Sequence, residues 1–287
     1  MGIARSTYYY QTTRGEHQLL KDIDVKDWIE IIHEELPGYG YRRIQKHLLR
    51  EGYVVNTKRI RRIMKVNSIV CSHQKTGKRR GEAIGKKLTF PNLIRGLKLT
   101  SSNQVWATDF TYIKLLREYI YVSAVIDVYT RKIVGWSVSR DSSHKFCLDA
   151  LKVAVKNYRP PKGVIHHSDR GVQYCCEGYV DYLNANGFTI SMSQPATPEE
   201  NAYIESFFKT LKREEVYVKQ YKTMEDVLNN LPKFIDEIYN EKRLHSSLGY
   251  LPPSEFEKEV LNMNPASRPI QKPVSYTHLT LPTSDLV

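Results

Sequence analysis

The chain has 287 residues, 41% of them hydrophobic, and a formal net charge of +12 at pH 7. It contains no apolar run near the roughly 18 residues that a membrane-spanning helix needs, and its first residues lack the apolar core of a secretory signal, which excludes a membrane protein and predicts a cytoplasmic one. Residues 1–100 hold 21 Lys and Arg against 9 Asp and Glu, and so one-sided an excess favours a polyanionic partner such as nucleic acid over a merely solvated surface.

The N-terminal part shows three short helical patterns in succession. Apolar residues at helical spacing predict helices over 24–36, 41–50 and 57–65, and Asn56 or Thr57 can cap the third. Basic side chains remain on the outside of the third helix, which predicts a helix-turn-helix that holds its last helix against DNA. A three-helix bundle with solvated cations is the alternative. The candidates for DNA contact on this helix are Lys58, Arg59, Arg61 and Arg62.

A basic segment follows the third helix. Residues 75–99 carry glycines and charges without a sustained period, which predicts a linker that can lie along DNA phosphates. The candidates for phosphate contact in this linker are Lys78, Arg79 and Arg80.

Strand patterns begin near residue 105. Three segments rich in β-branched and aromatic residues predict consecutive antiparallel strands. Helical and strand patterns then alternate, and the order β-β-β-α-β-α-β-α predicts an α/β fold with a mixed sheet and helices on both faces. A further helix is predicted from Pro198 with Thr197 as its N-cap, and another over 223–240. The predicted strands are 105–115, 118–127, 132–139, 164–167 and 188–192, and the helices between them are 144–157 and 174–186.

Three carboxylates stand where this topology could bring them together. Asp109 lies within the first strand, Asp169 follows the fourth, and Glu205 is on the helix predicted from Pro198. The first and fourth strands are expected to be neighbours, and open sheets form their sites at the carboxyl ends of strands. Oxygen ligands suit Mg²⁺, and two such ions could activate a hydroxyl nucleophile and stabilise the leaving oxygen of a phosphodiester. Asp127 competes for the role of ligand, although a turn residue is the plainer interpretation.

Polar residues near these acids are candidates for supporting roles. At 100° per residue, Asn201, Glu205 and Lys212 line one side of the predicted helix, and Lys212 is spaced to reach a DNA phosphate. His167 shares a strand face with Asp169, although a histidine at a strand end is more often structural. Asn201 and His167 are therefore candidates for contacts with the metal ligands rather than with the metal.

Four segments in combination resemble the catalytic core of insertion-sequence transposases of the retroviral-integrase type. The resemblance points to the third insertion-sequence family, whose transposase is made from two overlapping reading frames. Between Asp169 and Glu205 there are 35 residues, the spacing of this group, and Lys212 supplies its basic residue seven positions after the glutamate. The four segments are WATDFTY (106–112), HHSDRGVQY (166–174), PEENAYIESFFKTLKRE (198–214) and YNEKRLHSSLGYLPPSEFE (239–257), and GYGYRRIQKHLLREGYVVNTKRIRRIMK (38–65) is similar to the helix-turn-helix that precedes that core.

The resemblance implies a ribonuclease H-like fold with a five-stranded mixed sheet. It also implies an Asp-Asp-Glu site of Asp109, Asp169 and Glu205 that holds two Mg²⁺ or Mn²⁺ ions, and so selects Asp109 over Asp127. The implied reaction is strand cleavage and strand transfer at the ends of an insertion sequence. The implied partners are double-stranded DNA, further copies of the chain, and an upstream-frame product that supplies more DNA binding and a coiled coil to this second-frame product, in the bacterial cytoplasm at the nucleoid.

Two alternatives stay open at this point: a ribonuclease of the same fold that hydrolyses RNA in hybrids, and a DNA-binding protein with an inactive core. The tail lacks periodicity and is expected to be disordered or non-native. The expected organisation is an arm over 1–20, a helix-turn-helix domain over 21–70, a basic linker over 71–101, an integrase-type catalytic core over 102–260 and the tail over 261–287.

Overall fold

The computed structural model describes residues 22–69, 88–194 and 197–271. None of the helices within these ranges is long and apolar enough to cross a membrane. The predictions for Lys78, Arg79, Arg80, the arm 1–20 and the end of the tail from residue 272 lie outside the described residues.

Three helices form the N-terminal unit, as the apolar spacing predicts. The Asn56 side chain caps the third helix by accepting a hydrogen bond from the Lys58 backbone N–H at 2.8 Å, so that Asn56 and not Thr57 is the cap. The apolar side chains of the three helices meet in one buried cluster. The helices are α1 (22–35), α2 (Tyr41–Arg50) and α3 (Thr57–Val66), and their core includes Ile29, Ile32, Ile44, Leu48, Ile60 and Ile63.

A five-stranded mixed sheet forms the centre of the second unit. Its order is β3-β2-β1-β4-β5, with antiparallel pairing among the first three strands of the chain and parallel pairing of β1 with β4 and of β4 with β5. The predicted mixed sheet, and the predicted adjacency of the first and fourth strands, are confirmed. The strands are β1 (Val105–Lys114), β2 (Tyr119–Asp127), β3 (Ile133–Ser139), β4 (Ile165–Ser168) and β5 (Thr189–Met192).

Helices cover both faces of the sheet. On one face the backbone of α4 comes so close to β3 that a Cβ at Gly135 would lie 2.4 Å from the Ala150 carbonyl oxygen, so a glycine is required there. Each face has its own buried apolar cluster. The first face carries α4 (His144–Tyr158) and α5 (Glu177–Ala185), and the second carries α6 (Ala202–Leu211), α8 (Met224–Pro232) and α9 (Pro253–Asn262).

The helix predicted from Pro198 begins later than expected. Pro198–Asn201 forms a 3₁₀ turn, and the Thr197 hydroxyl donates to the Gln194 carbonyl and to the Glu200 carboxylate instead of accepting from the helix. The predicted N-cap role of Thr197 is therefore wrong. Two later helices continue as π-helical turns. α6 continues through Lys212–Val216 into α7 (Tyr217–Lys219), and α8 continues through Lys233–Tyr239.

One segment predicted to be a linker packs against the sheet, and the predicted tail makes a bridge with it. Over 88–99 the chain runs beside β5, where the Leu93 N–H donates to Ser191 Oγ at 2.9 Å and Leu99 is buried. Gln271 forms a bridge with Leu99. The linker prediction is thus wrong for 88–99, because a single irregular pass shows no helical or strand period even where half of its residues are apolar. Helical structure also continues to Ser267, within the predicted tail.

The helix-turn-helix unit docks on the C-terminal part of the core. Leu244 belongs to the apolar cluster of the N-terminal unit, and its backbone N–H donates to the Tyr39 hydroxyl at 2.7 Å. Beside it, the buried Arg243 guanidinium binds both carboxylate oxygens of Glu214, each at 2.7 Å. A Cβ at Gly38 would lie 2.1 Å from Glu214 Cγ. A buried, hydrogen-bonded interface therefore joins the two units.

Glu214→Gln removes the charge that faces the buried Arg243 and keeps the shape of the side chain. We expect the free energy of unfolding to fall by about 3 kcal/mol, because a buried cation without its partner is strongly destabilising. The matched control is Glu118→Gln, whose partner Arg140 lies at 2.9 Å on the surface and whose loss should change stability by less than about 1 kcal/mol. Urea denaturation measures both variants, and equal losses would contradict a buried Arg243–Glu214 pair.

Candidate active site

Asp109 lies on β1 where the strand loses its neighbour on one side. β4 pairs with β1 only from Val105 to Ala107, whereas β2 pairs with it as far as Lys114. Asp109 is thus two positions beyond the last parallel pair, at an open edge. The Phe110 backbone N–H donates to Asp109 Oδ1 at 2.8 Å and orients the carboxylate.

Asp169 holds the equivalent position on β4. The last β1–β4 pair joins Ala107 to His167, so Asp169 is also two positions beyond it. The Gly171 N–H donates to Asp169 Oδ1 at 2.8 Å, and a Cβ at residue 171 would lie 2.8 Å from the same oxygen. The turn that ends β4 therefore needs glycine, and it orients the acid.

Glu205 lies in the first turn of α6, which packs across β1 and β2. Its side chain is 30% exposed, and the Lys209 ammonium one turn further on lies 3.4 Å from Glu205 Oε2. An exposed pair of this kind contributes little to stability. Lys209 instead restrains the direction of the carboxylate.

The three acids act on one another electrostatically. Burial raises the pKa of Asp109 well above its usual range, and the negative charges of Asp169 and, more weakly, Glu205 raise it further, whereas the Phe110 N–H and Lys212 oppose the shift. In the described part of the chain, no three acidic, histidine or cysteine side chains form a group compact enough to hold a metal ion. The acids therefore lie within electrostatic range of one another without forming a closed set of ligands.

Asp127 is a turn residue. Its Oδ1 accepts from the backbone N–H groups of Tyr129 and Thr130, both at 2.9 Å, and its Oδ2 accepts from the Asn103 N–H at 2.6 Å. Burial raises the pKa of Asp127, and these hydrogen bonds oppose the rise. Because both oxygens are engaged in holding the reversal after β2, the plainer interpretation of Asp127 is confirmed.

The two predicted supporting residues differ in their contacts. His167 is buried and uses both ring nitrogens on serines, Nδ1 with Ser191 at 2.9 Å and Nε2 with Ser193 at 3.0 Å, and burial lowers its pKa to about 4. Its hydrogen bonds within the described residues reach none of the three acids, so it joins β4 to β5. Asn201, in contrast, donates to the Thr108 carbonyl at 3.3 Å, one residue before Asp109.

Lys212 lies beside the acids in the company of an aromatic residue that the sequence did not single out. Its ammonium is 4.7 Å from the centre of the Tyr112 ring, and burial lowers its pKa while Asp109 opposes the shift. The Tyr112 ring is 42% exposed and packs edge-on against Tyr119 at 5.6 Å between centroids. The signal in the sequence that could have identified Tyr112 is an aromatic residue three positions after Asp109.

Two of the four predicted DNA contacts on α3 have partners inside the domain. Arg59 and Arg62 each bind one oxygen of Asp22 at 2.6 Å, an acid on α1 that lies far from them in the sequence. Both arginines therefore have an acidic partner within the domain, and their contact with DNA stays a prediction. Lys58 and Arg61 are exposed.

Family models and relatives match both units. An integrase core domain model matches residues 100–198, a second integrase core domain model matches 186–253, and an HTH-like domain model matches 20–76. The transposase for insertion sequence element IS904 of Lactococcus lactis subsp. lactis (strain IL1403) is 37% identical over 229 residues, with 79% of this chain and 90% of the relative covered. Transposase InsF for insertion sequence IS3A of Escherichia coli (strain K12) is 31% identical over 224 residues, with 78% of each covered.

One solved structure is similar at a lower level. The simian T-cell lymphotropic virus intasome in complex with PP2A regulatory subunit B56 gamma matches with a TM-score of 0.46 and 13% identity, over 84% of this chain and 76% of that chain. A likeness of this size supports no conclusion about the present chain.

The mixed sheet with helices on both faces, the preceding helix-turn-helix and the two integrase-core matches define a DNA transposase of the integrase type with a ribonuclease H-like fold. Two transposases of insertion sequences are more than 30% identical to this chain over most of their length, which narrows the class of protein to one family. The chain belongs to the IS3 family of insertion-sequence transposases.

Asp109→Asn removes a buried negative charge beside Asp169. Because the folded-state pKa of Asp109 is raised, its ionised form destabilises the fold at neutral pH, and the stability of the protonated form is lost as pH rises through that pKa. We expect the free energy of unfolding at pH 7 in EDTA to rise, because the neutral amide is not repelled by Asp169. The control Asp149→Asn, on the exposed side of α4, should change the free energy of unfolding by less than about 0.5 kcal/mol. A loss of stability in Asp109→Asn would show that the charge of Asp109 does not destabilise the fold.

Proposed function

We propose that Asp109, Asp169 and Glu205 form the metal-dependent active site that cleaves and transfers DNA strands at the ends of an insertion sequence. The observation that carries the proposal is the electrostatic coupling of the three acids just beyond the last β1–β4 pair. The residues fit two Mg²⁺ or Mn²⁺ ions, because carboxylate oxygens are the ligands of hard cations and a cation relieves the repulsion on a buried carboxylate. When bound, such ions activate the attacking hydroxyl and stabilise the leaving oxygen.

The chain supplies orientation to each acid before any substrate arrives. Asn201 ties the start of the α6 segment to the β1 backbone at Thr108, and each acid has a donor of its own. Catalysis in such a site depends on positioned charges rather than on a side-chain nucleophile. The donors are the backbone N–H groups of Phe110 and Gly171 and the ammonium group of Lys209.

The proposed substrate is double-stranded DNA at the element ends and at the target. Lys58 and Arg61 on α3 are exposed cations suited to DNA phosphates, and Lys212 is suited to a phosphate beside the acids. Arg59 and Arg62 contribute to this surface through α3, which they hold against α1.

A larger assembly is part of the proposal. The resemblance to a two-frame transposase supports a homo-oligomer on DNA, together with an upstream-frame product that adds DNA binding and a coiled coil. The relatives come from Lactococcus lactis and Escherichia coli, which supports action in a bacterial cytoplasm at the nucleoid.

The two alternatives have less support. A ribonuclease acting on hybrids would want a fourth carboxylate at the metals, and the nearest candidate from the sequence, Asp127, is committed to its turn. A DNA-binding protein with an inactive core has no need to keep three acids whose charges repel one another.

Replacement of any one of the three acids should abolish strand cleavage and leave DNA binding intact. With Mg²⁺ and a labelled duplex that carries an element end, we expect Asp109→Asn, Asp169→Asn and Glu205→Gln each to lose on the order of a hundredfold or more of the cleavage rate, since even residues that support metal ligands are worth 10- to 100-fold. Glu177→Gln, at an exposed position on α5, is the matched control. Cleavage that persists in EDTA or in Glu205→Gln would refute the site.

Tyr112 is proposed to hold Lys212 in position through its ring face. Tyr112→Ala should reduce the cleavage rate about two- to fivefold, because a cation–π contact at an exposed site is worth about 0.5–1 kcal/mol, and Tyr112→Phe should restore it. Lys212→Ala should have the larger effect, and Tyr112→Ala should add little to it. Equal rates in Tyr112→Ala and Tyr112→Phe would show that the ring does not act through Lys212.

A further inference from the structure

The α6 segment has two functional faces. One carries Glu205 and Lys212 toward Asp109, as the electrostatic coupling of these groups indicates. The other carries polar and basic side chains at helical spacing and lines an open groove of about 400 Å³ against the helix-turn-helix unit. The residues of this second face are Ser206, Lys209, Thr210 and Arg213.

The opposite wall of the groove comes from the turn between α1 and α2. Gly38 and Gly40 line it with backbone, and Arg43 adds a guanidinium. A Cβ at Gly40 would meet no atom within 4 Å, so the space beside this backbone is open. A bulky chain such as a nucleic-acid strand can therefore approach the turn closely.

The charge of the groove is strongly positive. Its acid, Glu214, is already bound by both arms of Arg243, so this pair is neutral. Arg43 lies 3.7 Å from the same acid. The positive charge of Arg213 also acts on Glu214, and Lys209 makes its ion pair with Glu205.

The donor types match a phosphodiester backbone. Guanidinium, ammonium and hydroxyl groups are the side chains that contact DNA phosphates without reading sequence. Lys209 lines the groove and also pairs with Glu205, so the groove is continuous with the acidic site.

We propose that this groove binds the backbone of the DNA segment that is held at the active site. The inference rests on the proposed function and adds a shared binding surface: the helix-turn-helix and the helix that carries Glu205 hold the same strand. The Leu244–Tyr39 hydrogen bond and the Arg43–Glu214 ion pair, which join the two units, then fix the distance between the DNA at α2 and the point of cleavage.

The test measures DNA affinity in the full chain with charge reversals in the groove. In EDTA, Arg213→Glu and Thr210→Glu should each weaken binding of a short labelled duplex about tenfold, equally for element-end and unrelated sequences. The slope of log affinity against log salt should become shallower by about 0.9 for each phosphate that the protein no longer neutralises. Lys156→Glu, on the opposite face of the sheet on α4, is the matched control. Affinity and slope equal to those of Lys156→Glu would overturn the proposal.

Two further measurements separate the outcomes. Asp109→Asn should bind DNA like the wild type and fail to cleave it, so an active Asp109→Asn refutes the proposed function, whereas normal DNA binding by both groove variants refutes the groove alone. Thermal unfolding checks the fold, and Arg213→Ala provides a milder change: it should weaken binding by a smaller factor with an unchanged melting temperature. Wild-type affinity in a folded Arg213→Ala would also count against the groove.

Discussion

The parallel pairing of β1 with β4 is the contact on which the acidic site depends. It ends at Ala107 and His167, and Asp109 and Asp169 each follow two positions later. Because parallel strands run in the same direction, residues at equal distances beyond the last pair remain neighbours. A register slip of one residue would turn one acid to the other face of the sheet. The short pairing therefore brings the two acids together and also leaves them on an open edge where a substrate can reach them.

The α6 segment connects this edge to the rest of the molecule. Its apolar stripe packs on the second face of the sheet, which holds Glu205 at one end beside the two aspartates. At the other end the chain widens into a π-helical turn, and such turns recur at functional sites because they re-aim side chains. Here the turn begins with Lys212 and includes Glu214. One irregular stretch therefore supplies a cation near the acids and the anion that binds Arg243 and pairs with Arg43 of the helix-turn-helix unit.

The sequence was sufficient for the order of the strands along the chain, because that order depends on local patterns. It also pointed to the three acids as a proposed site, because they lie in motifs that are contiguous in the chain. It could not show that Arg59 pairs with an acidic residue, because that residue, Asp22, lies on another helix. It also could not choose between Asp109 and Asp127 without the resemblance, since both are acids on neighbouring predicted strands. Only the paired sheet shows that the oxygens of Asp127 are held by the turn that follows β2. The docking of the two units was not predicted, because an interface of few residues from distant segments leaves no period.

Two buried charge arrangements of opposite kind stand at the two ends of the α6 segment. Arg243 and Glu214 satisfy each other through two hydrogen bonds, so their burial adds rigidity and geometric specificity. Asp109 has one backbone donor and two negative neighbours, so its burial is unfavourable in the free protein. The surroundings must resist the relaxation that would separate the acids, and continuous pairing of β1 with β2 provides that resistance. One end of the α6 segment therefore holds a satisfied ion pair and the other holds acids that repel one another. The metal ions proposed for this site would relieve that repulsion, and the repulsion would in turn favour their binding.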